Sequence, residues 1–451
     1  MKTIVVAGTH SGVGKTSFTL GLMAALRARG MVVQGFKVGP DFIDPSHHAR
    51  ITSRPSHNLD GWMLSRQSNL AIFARAVQGA DVAVVEGVMG LYDGAGPGAE
   101  GSTAQMARWL EAGVVLVCDA GGMGQSIAAL AKGYATAQGA PRVVGVVANR
   151  VGSPTHRRIL TEAMGALGSP PLLGCLPRIR ELAIPERHLG LLTAHEHAPA
   201  AGWAEALGKW VEENVDIDRI IELADSPEPP LFIAARPEKR AVVAVAMDEA
   251  FCFYYHHNLW ELEQAGAEIK FFSPIRDSGL PQGTQAVYIG GGYPEIHAEA
   301  LADNSSMRAE IAHAANWGMP IYGECGGMMY LGRSLTDLEG RSWPMAGALE
   351  LSTRMYPKLR ALGYRQVSTT RPSLLGPAGV RARGHEFRYS QLNPDAQGLG
   401  LYSALNAWGE PVQAPGVSRA RVVASYVHLH FGSNPALARA LVGAASANRV
   451  R

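Results

Sequence analysis

The first two hundred residues alternate between short apolar runs and longer stretches of mixed polarity. "TIVVAG", "MVVQGFKV", "DVAVVEG", "VVLVCD" and "RVVGVVAN" are rich in β-branched residues and almost continuously apolar. A strand that is apolar on both faces belongs inside a sheet covered on both sides. These runs therefore predict a parallel sheet with helices between its strands. "KTSFTLGLMAALRARG" predicts the first crossover helix: Phe18, Leu22 and Leu26 fall on one stripe, arginines occupy the last turn, and Gly30 supplies the stop.

The alternation breaks at "LADSPEPPLFIAARPEKRA", where prolines gather among mixed charges. Such segments act as semi-rigid spacers. The expected organisation is one domain over residues 1–222, a linker over 223–241 and a second domain over 242–451. A second α/β pattern follows: strand "AVVAVAM", helix "HHNLWELEQAG", strands "AEIKFF" and "QAVYIGGG", then "MPIYGECGGMMYLG" as strand, sharp turn and helix. The predicted fold class is α/β, with two doubly wound domains.

Composition adds exclusions. The chain has 451 residues, 47% apolar and 18% charged, and a formal charge of +2. Nothing in that balance calls for nucleic acid or an anionic membrane as a partner. Four cysteines without a CxxC pair argue against a zinc site or disulfide framework and fit a reducing compartment. No signal-peptide pattern opens the chain, and no apolar run approaches the roughly 18 residues of a membrane helix. The expected location is the cytoplasm.

"GTHSGVGKTS" is the first stretch that carries chemistry. Gly8 and Gly14 are separated by five residues where the usual phosphate loop has four. Its context, after a strand and before a helix, is nevertheless that of a phosphate site. Gly12 and Gly14 would let backbone N–H groups approach the phosphates. Lys15 would meet the terminal phosphates, Thr16 would reach Mg²⁺, and Ser17 extends the triplet. Glu86, at the end of "DVAVVE", stands where a metal-binding carboxylate belongs. Asp41 and Asp44 in "KVGPDFIDPSHH" and Asp93 in "GVMGLYDG" map to the same carboxyl edge of the sheet, where ligands of open α/β sheets bind. Asp41 is a second candidate for the metal, and Asp44 and Asp93 are candidates for the substrate; each single acid serves equally well as a cap or turn residue. Asn149, ending "VVGVVAN", would either read a nucleobase or cap the next loop.

"YGECGG" is the second such stretch. Gly323-Glu324-Cys325-Gly326-Gly327 has the G-x-nucleophile-x-G form of a strand-to-helix elbow. The helix behind Cys325 is expected to favour its thiolate. The Gly326 amide, with a second from Gly291 or Gly292 in "YIGGGYPE", would bind an oxyanion. A cysteine nucleophile needs a base, and "ASYVHLHFGSNP" offers His428 and His430.

Family likeness makes these readings specific. The phosphate loop resembles that of dethiobiotin synthetase-like enzymes, with His10 near the place where partitioning relatives carry a lysine. The elbow resembles that of class I glutamine amidotransferases, most of which carry a glutamate two residues after the histidine. Here that position is His430. The order of "AGTHSGVGKTS", "FKVGPDFIDPSHH", "NLDGWM", "VEGVMGLYDG", "ANRVGSPTHRRIL", "IPERHLGL", "IGGGYPE", "YGECGGMMYL", "GHEFRYS" and "SYVHLHF" resembles the cobyrinic acid a,c-diamide synthase family over nearly the whole chain. The resemblance implies a P-loop domain fused to a glutaminase domain, with ATP and Mg²⁺ as cofactors and glutamine and a tetrapyrrole as small-molecule partners. It implies a Cys325–His428 dyad in place of a triad. An acyl-phosphate intermediate must be shielded from water, which suggests that ammonia passes between the domains. Arg178, Arg187, His188, His385 and Arg388 are candidates for holding the polyanionic ring, or solvated surface groups. Hydrogenobyrinic acid and nickel-sirohydrochlorin stay open as alternative rings, cobyric acid synthase fits "GHEFRYS" and "SYVHLHF" less well, and a homodimer is left open. A nucleotide-switch ATPase would share the first half without needing "GECGG".

Overall fold

Strand β1 (Lys2–Gly8) is buried almost throughout, and in the computed structural model it lies at the heart of a parallel seven-stranded sheet. The other strands are β2 (Val33–Val38), β3 (His57–Leu59), β4 (Val82–Glu86), β5 (Gly113–Asp119), β6 (Val143–Val151) and β7 (Leu172–Pro177), in the order β3-β2-β4-β1-β5-β6-β7. Helices α1 (Lys15–Ala28), α2 (Ile43–Thr52), α3 (Arg66–Ala76), α4 (Thr103–Trp109), α5 (Ser126–Thr136) and α6 (Pro154–Ala166) connect them, and α7 (Trp203–Asn214) and α8 (Ile217–Leu223) close the unit. β1 has β4 on one side and β5 on the other. Chain order reverses there, so the loops after β1, β2 and β4 open around one crevice.

The structure describes all residues except 97, 180, 183–185, 188–189, 192–193, 195–199, 233–236, 394–398 and 449–451, and only the backbone of 186–187 and 190–191. Two compact units are formed by residues 1–233 and 234–451. Among the described residues, no helix is long and apolar enough to cross a membrane.

The second unit has a six-stranded sheet. Its order is Ala267–Phe272, Ala241–Ala246, Ala286–Ile289, Ile321–Glu324, Val422–Ser425 and Gly416–Arg419, parallel except for the last. A separate antiparallel sheet joins Ala361–Thr369 and Arg381–Arg388 to His428–Leu429. Its strands are partly exposed on one face, so the apolar periodicity that reveals the parallel strands does not disclose it. At Gly384 an added Cβ would lie 2.1 Å from the His428 carbonyl oxygen, so the strand Arg381–Arg388 lies directly on the His428 backbone.

Helix α1, which carries Lys15 and Thr16, is seated on α7 by small residues. An added Cβ at Gly21 would meet Val211 Cγ2 at 2.5 Å and Leu207 O at 2.9 Å, and one at Gly208 would meet Ala25 N at 3.1 Å. Gly21→Ala is therefore expected to destabilise the first unit by about 1–3 kcal/mol, the usual overpacking cost. Thermal unfolding should show a lowered transition for that unit and an unchanged one for the second; unchanged unfolding would refute the tight seat.

Candidate active sites

At the carboxyl edge of the first sheet, the loop between β1 and α1 adopts φ 80° at Gly12 and φ 96° at Gly14. These are left-handed conformations suited to glycine. Asn149 pins the loop from β6: its Nδ2 donates to Val13 O at 2.8 Å, and its Oδ1 accepts from the Arg150 amide at 2.9 Å. An added Cβ at Gly14 would lie 2.1 Å from Asn149 Nδ2. Asn149 is thus a buried brace for the loop, which favours the structural of its two expected roles. Arg150 donates to Gly12 O at 2.8 Å, and the Tyr134 hydroxyl donates to Thr9 O at 2.5 Å. Lys15 is buried and donates to His10 O at 3.2 Å. Burial, with the nearby Lys37 charge, lowers its ammonium to about 8. Ser17 is half-buried on α1.

Thr16, Glu86 and Asp44 converge beside this loop. The Thr16 hydroxyl donates to Glu86 Oε1 at 2.6 Å and lies 3.5 Å from Asp44 Oδ2. Lys37, from β2, donates to Asp44 Oδ2 and to Glu86 Oε1 at 3.0 Å, and lies 3.8 Å from Asp41 Oδ2. His48 Nε2 is 2.8 Å from Glu86 Oε2. Neither Lys37 nor His48 was expected from the sequence. The available signal was a lysine inside the otherwise apolar run "GFKV", where burial demands a partner.

Burial alone would raise the Glu86 carboxyl, but the Lys37 ammonium, the His48 hydrogen bond and the Thr16 hydroxyl hold it well below the usual range. Lys37 is likewise pushed up by Asp44 and Glu86 against the effect of burial. Asp44 is raised well above the ordinary carboxyl range by burial and by the charges of Asp41 and Glu86. Three carboxyl groups surround one ammonium, and an arriving cation would favour the ionised form of Asp44. Asp41 Oδ1 also accepts the Ile43 and Asp44 amides at 2.7 and 3.2 Å, organising the start of α2. Asp93 is exposed and accepts the Gly90 amide at 2.9 Å. Arg178 follows β7 on the same edge, three strands from β1, and is exposed. The Arg187 side chain and His188 lie outside the described residues.

In the second unit, Cys325 sits between the strand Ile321–Glu324 and the helix Gly326–Leu331 with φ 46° and ψ −102°. A non-glycine residue held there stores roughly 1–3 kcal/mol of strain. The turn is held by its neighbours. Cys325 N donates to Ser425 O at 2.7 Å, and Gly327 N donates to Gly290 O at 2.9 Å. An added Cβ at Gly327 would lie 2.1 Å from Ile289 O, and one at Gly326 would lie 3.1 Å from Gly292 N.

The structure revises three expectations here. Gly291 does not offer its amide to an oxyanion, because that N–H faces the Phe253 carbonyl at 3.3 Å. Its role is spatial: an added Cβ would lie 2.3 Å from His428 Cε1. Gly292 and Gly326 remain as adjacent amide candidates. Cys325 is not a resting thiolate, because burial, with the charges of Glu295 and Glu386, pushes its thiol up to about 12 and outweighs the short helix behind it. Burial also pushes His428 down to about 3, so thiol and imidazole are both neutral at pH 7. Finally, His385 and Arg388 are part of the cysteine centre. His385 is buried, stacks on His428 at 4.9 Å and 14°, and has its Nδ1 2.7 Å from the Tyr255 hydroxyl. Burial keeps its pKa well below the ordinary range, so it is a poor cation for a polyanionic ring. Arg388 pairs with Glu386 at 2.7 Å and lies 4.4 Å over Tyr426.

His430 packs at a tilt on Tyr255, with ring centroids 4.5 Å apart, and its Nδ1 accepts the Gly432 amide at 3.2 Å. The strained elbow, the neutral His428 and the paired glycine amides together suit a cysteine that is deprotonated only as it attacks.

Comparison with known proteins gives both centres a context. Residues 4–192 match the CobQ/CobB/MinD/ParA nucleotide binding domain, and residues 242–436 match the CobB/CobQ-like glutamine amidotransferase domain. The fold and sites thus define a P-loop nucleotide-binding domain followed by a glutamine amidotransferase domain. The chain is 47% identical over 448 residues to the cobyrinate a,c-diamide synthase of Syntrophotalea carbinolica, covering 97% of each. It is 41% identical to that of Dehalococcoides mccartyi and 39% identical to that of Archaeoglobus fulgidus, in both cases over 97% of this chain and 96% of the relative. The chain belongs to the cobyrinate a,c-diamide synthase family.

Gly291→Ala should displace the His428 ring. Glutamate release from glutamine is expected to fall by about 10²-fold or more, the scale of a misplaced acid–base group. Thermal stability of the first unit should be unchanged, and turnover within a few-fold of the parent would show that the ring has room to move.

Proposed function

We propose that this protein amidates the a and c carboxylates of cobyrinic acid in cobalamin biosynthesis, using ATP and glutamine. The observation that carries the reading is the pairing, on one chain, of a phosphate loop beside the Thr16–Glu86–Asp44–Lys37 cluster with a strained cysteine elbow whose neighbouring strand, Val422–Ser425, leads to a buried, neutral His428. The full-length likeness to cobyrinate a,c-diamide synthases supports the choice of ring.

In the second unit, Cys325 Sγ attacks the glutamine carboxamide as His428 takes its proton. The Gly292 and Gly326 amides receive the oxyanion. His428 returns the proton to the leaving nitrogen, ammonia departs, and water hydrolyses the thioester to glutamate. In the first unit, a carboxylate of the ring attacks the γ-phosphorus of ATP, and ADP leaves. The acyl phosphate then reacts with ammonia to give the amide and inorganic phosphate. Lys15 holds the terminal phosphates, and catalysis is largely positioning and charge neutralisation. Screening from water protects the acyl phosphate.

The residues present fit a magnesium ion. Thr16, Glu86 and Asp44 are hard oxygen donors gathered at the phosphate loop. Thr16 with Glu86 would hold the ion, as suits a metal that keeps waters and shares phosphate oxygens. When bound, it would neutralise charge developing on the transferred phosphoryl group. Arg178, Arg187 and His188 stay candidates for the ring's other carboxylates, and Asp93 for a contact beside the phosphate loop.

Product mass spectrometry with cobyrinic acid, hydrogenobyrinic acid and nickel-sirohydrochlorin, each with ATP, Mg²⁺ and glutamine, tests the substrate. A gain of two amides on cobyrinic acid is expected, and preference for either other ring would replace it. Cys325→Ala should abolish amidation from glutamine yet keep amidation from concentrated ammonium at raised pH. Lys15→Ala should do the reverse, removing amidation from either nitrogen source while glutamine hydrolysis continues. Amidation by Lys15→Ala within a few-fold of the parent would remove the phosphate loop from the mechanism.

A further inference from the structure

The elbow residue before the cysteine carries a carboxylate that the mechanism above leaves unused. Glu324 is the last residue of the strand Ile321–Glu324 and is 1% exposed. Its Oε1 accepts the Tyr322 hydroxyl at 2.7 Å and the Leu429 amide at 3.0 Å. Its Oε2 accepts the Tyr288 hydroxyl at 3.0 Å and lies 3.9 Å from His428 Nδ1. One residue therefore touches both halves of the centre: its backbone adjoins the Cys325 turn, and its carboxylate grips the amide next to His428. The position two residues after His428 is His430, whose ring is packed on Tyr255 instead.

Resting on the functional reading above, we propose that Glu324 is the positioning carboxylate of the Cys325–His428 pair: across 3.9 Å, an ion-pair separation longer than a hydrogen bond, its charge favours the Nδ1–H tautomer of His428, so that Nε2 is the basic nitrogen. The imidazole is then confined on three sides. Glu324 lies at Nδ1, Gly291 leaves room at Cε1, and the His385 ring covers one face. As the thiol proton passes to Nε2, the carboxylate faces the cation that forms. Its three donors, Tyr322, Leu429 and Tyr288, favour the charged form that burial opposes, so a carboxylate is at hand when the imidazolium forms.

The groups facing Glu324 are the phenols of Tyr254, Tyr288, Tyr322 and Tyr402, all raised above their usual range, and His428 with His385 behind it, both lowered. Burial, opposed by the bonds from Tyr322, Leu429 and Tyr288, leaves Glu324 raised to about 7. In this neighbourhood it is the group that changes charge near neutrality. Glutaminase activity should accordingly fall as pH drops through about 7.

Glu324→Gln keeps the size and the acceptor for Leu429 but removes the charge. The kcat for glutamate release should fall by roughly 10²- to 10⁴-fold, the range up to the loss of a triad acid. KM for glutamine should hold within about twofold, the inflection near pH 7 should vanish, and ammonia-driven amidation should match the parent. Glu324→Asp should recover part of the kcat. Glutaminase within threefold of the parent with the inflection intact would overturn the proposal, as would equal losses from glutamine and ammonia. A measurement on the parent does not depend on the variants folding: nitrogen-15 histidine spectra at pH 8, with the His428 signal assigned through His428→Ala, should show the Nδ1–H form. An Nε2–H form refutes the role of Glu324. A parent that releases no glutamate while showing the Nδ1–H form would defeat the functional reading and leave Glu324 in place.

Discussion

Both centres depend on one constraint: at the ends of central strands the main chain must let its neighbours approach more closely than a Cβ would permit. In the first unit the constraint falls at Gly14, where Asn149 occupies the space a Cβ would need. In the second it falls at Gly327 and Gly291, against Ile289 O and His428. The parallel sheets deliver the strand ends to one edge, but absent side chains let the loops close into sites. The chemistry-bearing residues, Lys15 and Cys325, are each held by neighbours on several sides.

The two centres treat buried charge in opposite ways. Around Lys37 the first unit concentrates ionised groups, with Glu86 held anionic and Lys37 held cationic by each other. Pairs of this kind offset a large desolvation penalty and give little net stability, so the arrangement is better understood as a prepared receptor for phosphate and cation. The second unit keeps its nucleophile and its histidines neutral. The Cys325 thiol, the His428 and His385 rings and the surrounding phenols all sit in their uncharged forms, and the proposed reaction begins by creating charge there. One site is organised for ligands that arrive charged, the other for an uncharged amide.

Much of this was legible in the sequence because it is local. The phosphate loop and the elbow are each continuous in the chain, and their glycines mark positions that the backbone geometry requires. The parallel strands announce themselves by apolar runs. The remainder depends on pairings across long separations. Lys37 meets Glu86 across 49 residues, and Glu324 meets the Leu429 amide across 105. No spacing rule discloses such contacts. His385 and Arg388 were assigned by charge and belong elsewhere because a strand pairing, His385 opposite His428, decides their surroundings. The short strand β3 and the antiparallel sheet escaped notice for a related reason: an edge or half-exposed strand carries little hydrophobic signal.

The neutral state of Cys325 bears on how the molecule would meet oxidants. Peroxide and electrophiles react with thiolates far faster than with thiols. Cys118, deep in the first core, and Cys325 are both pushed up to about 12. A resting Cys325 would thus be nearly as inert as a structural cysteine. Vulnerability would begin only as an amide substrate is attacked and His428 takes the thiol proton. A nucleophile armed by its own substrate is shielded from damage while idle, without a lid or a disulfide to guard it.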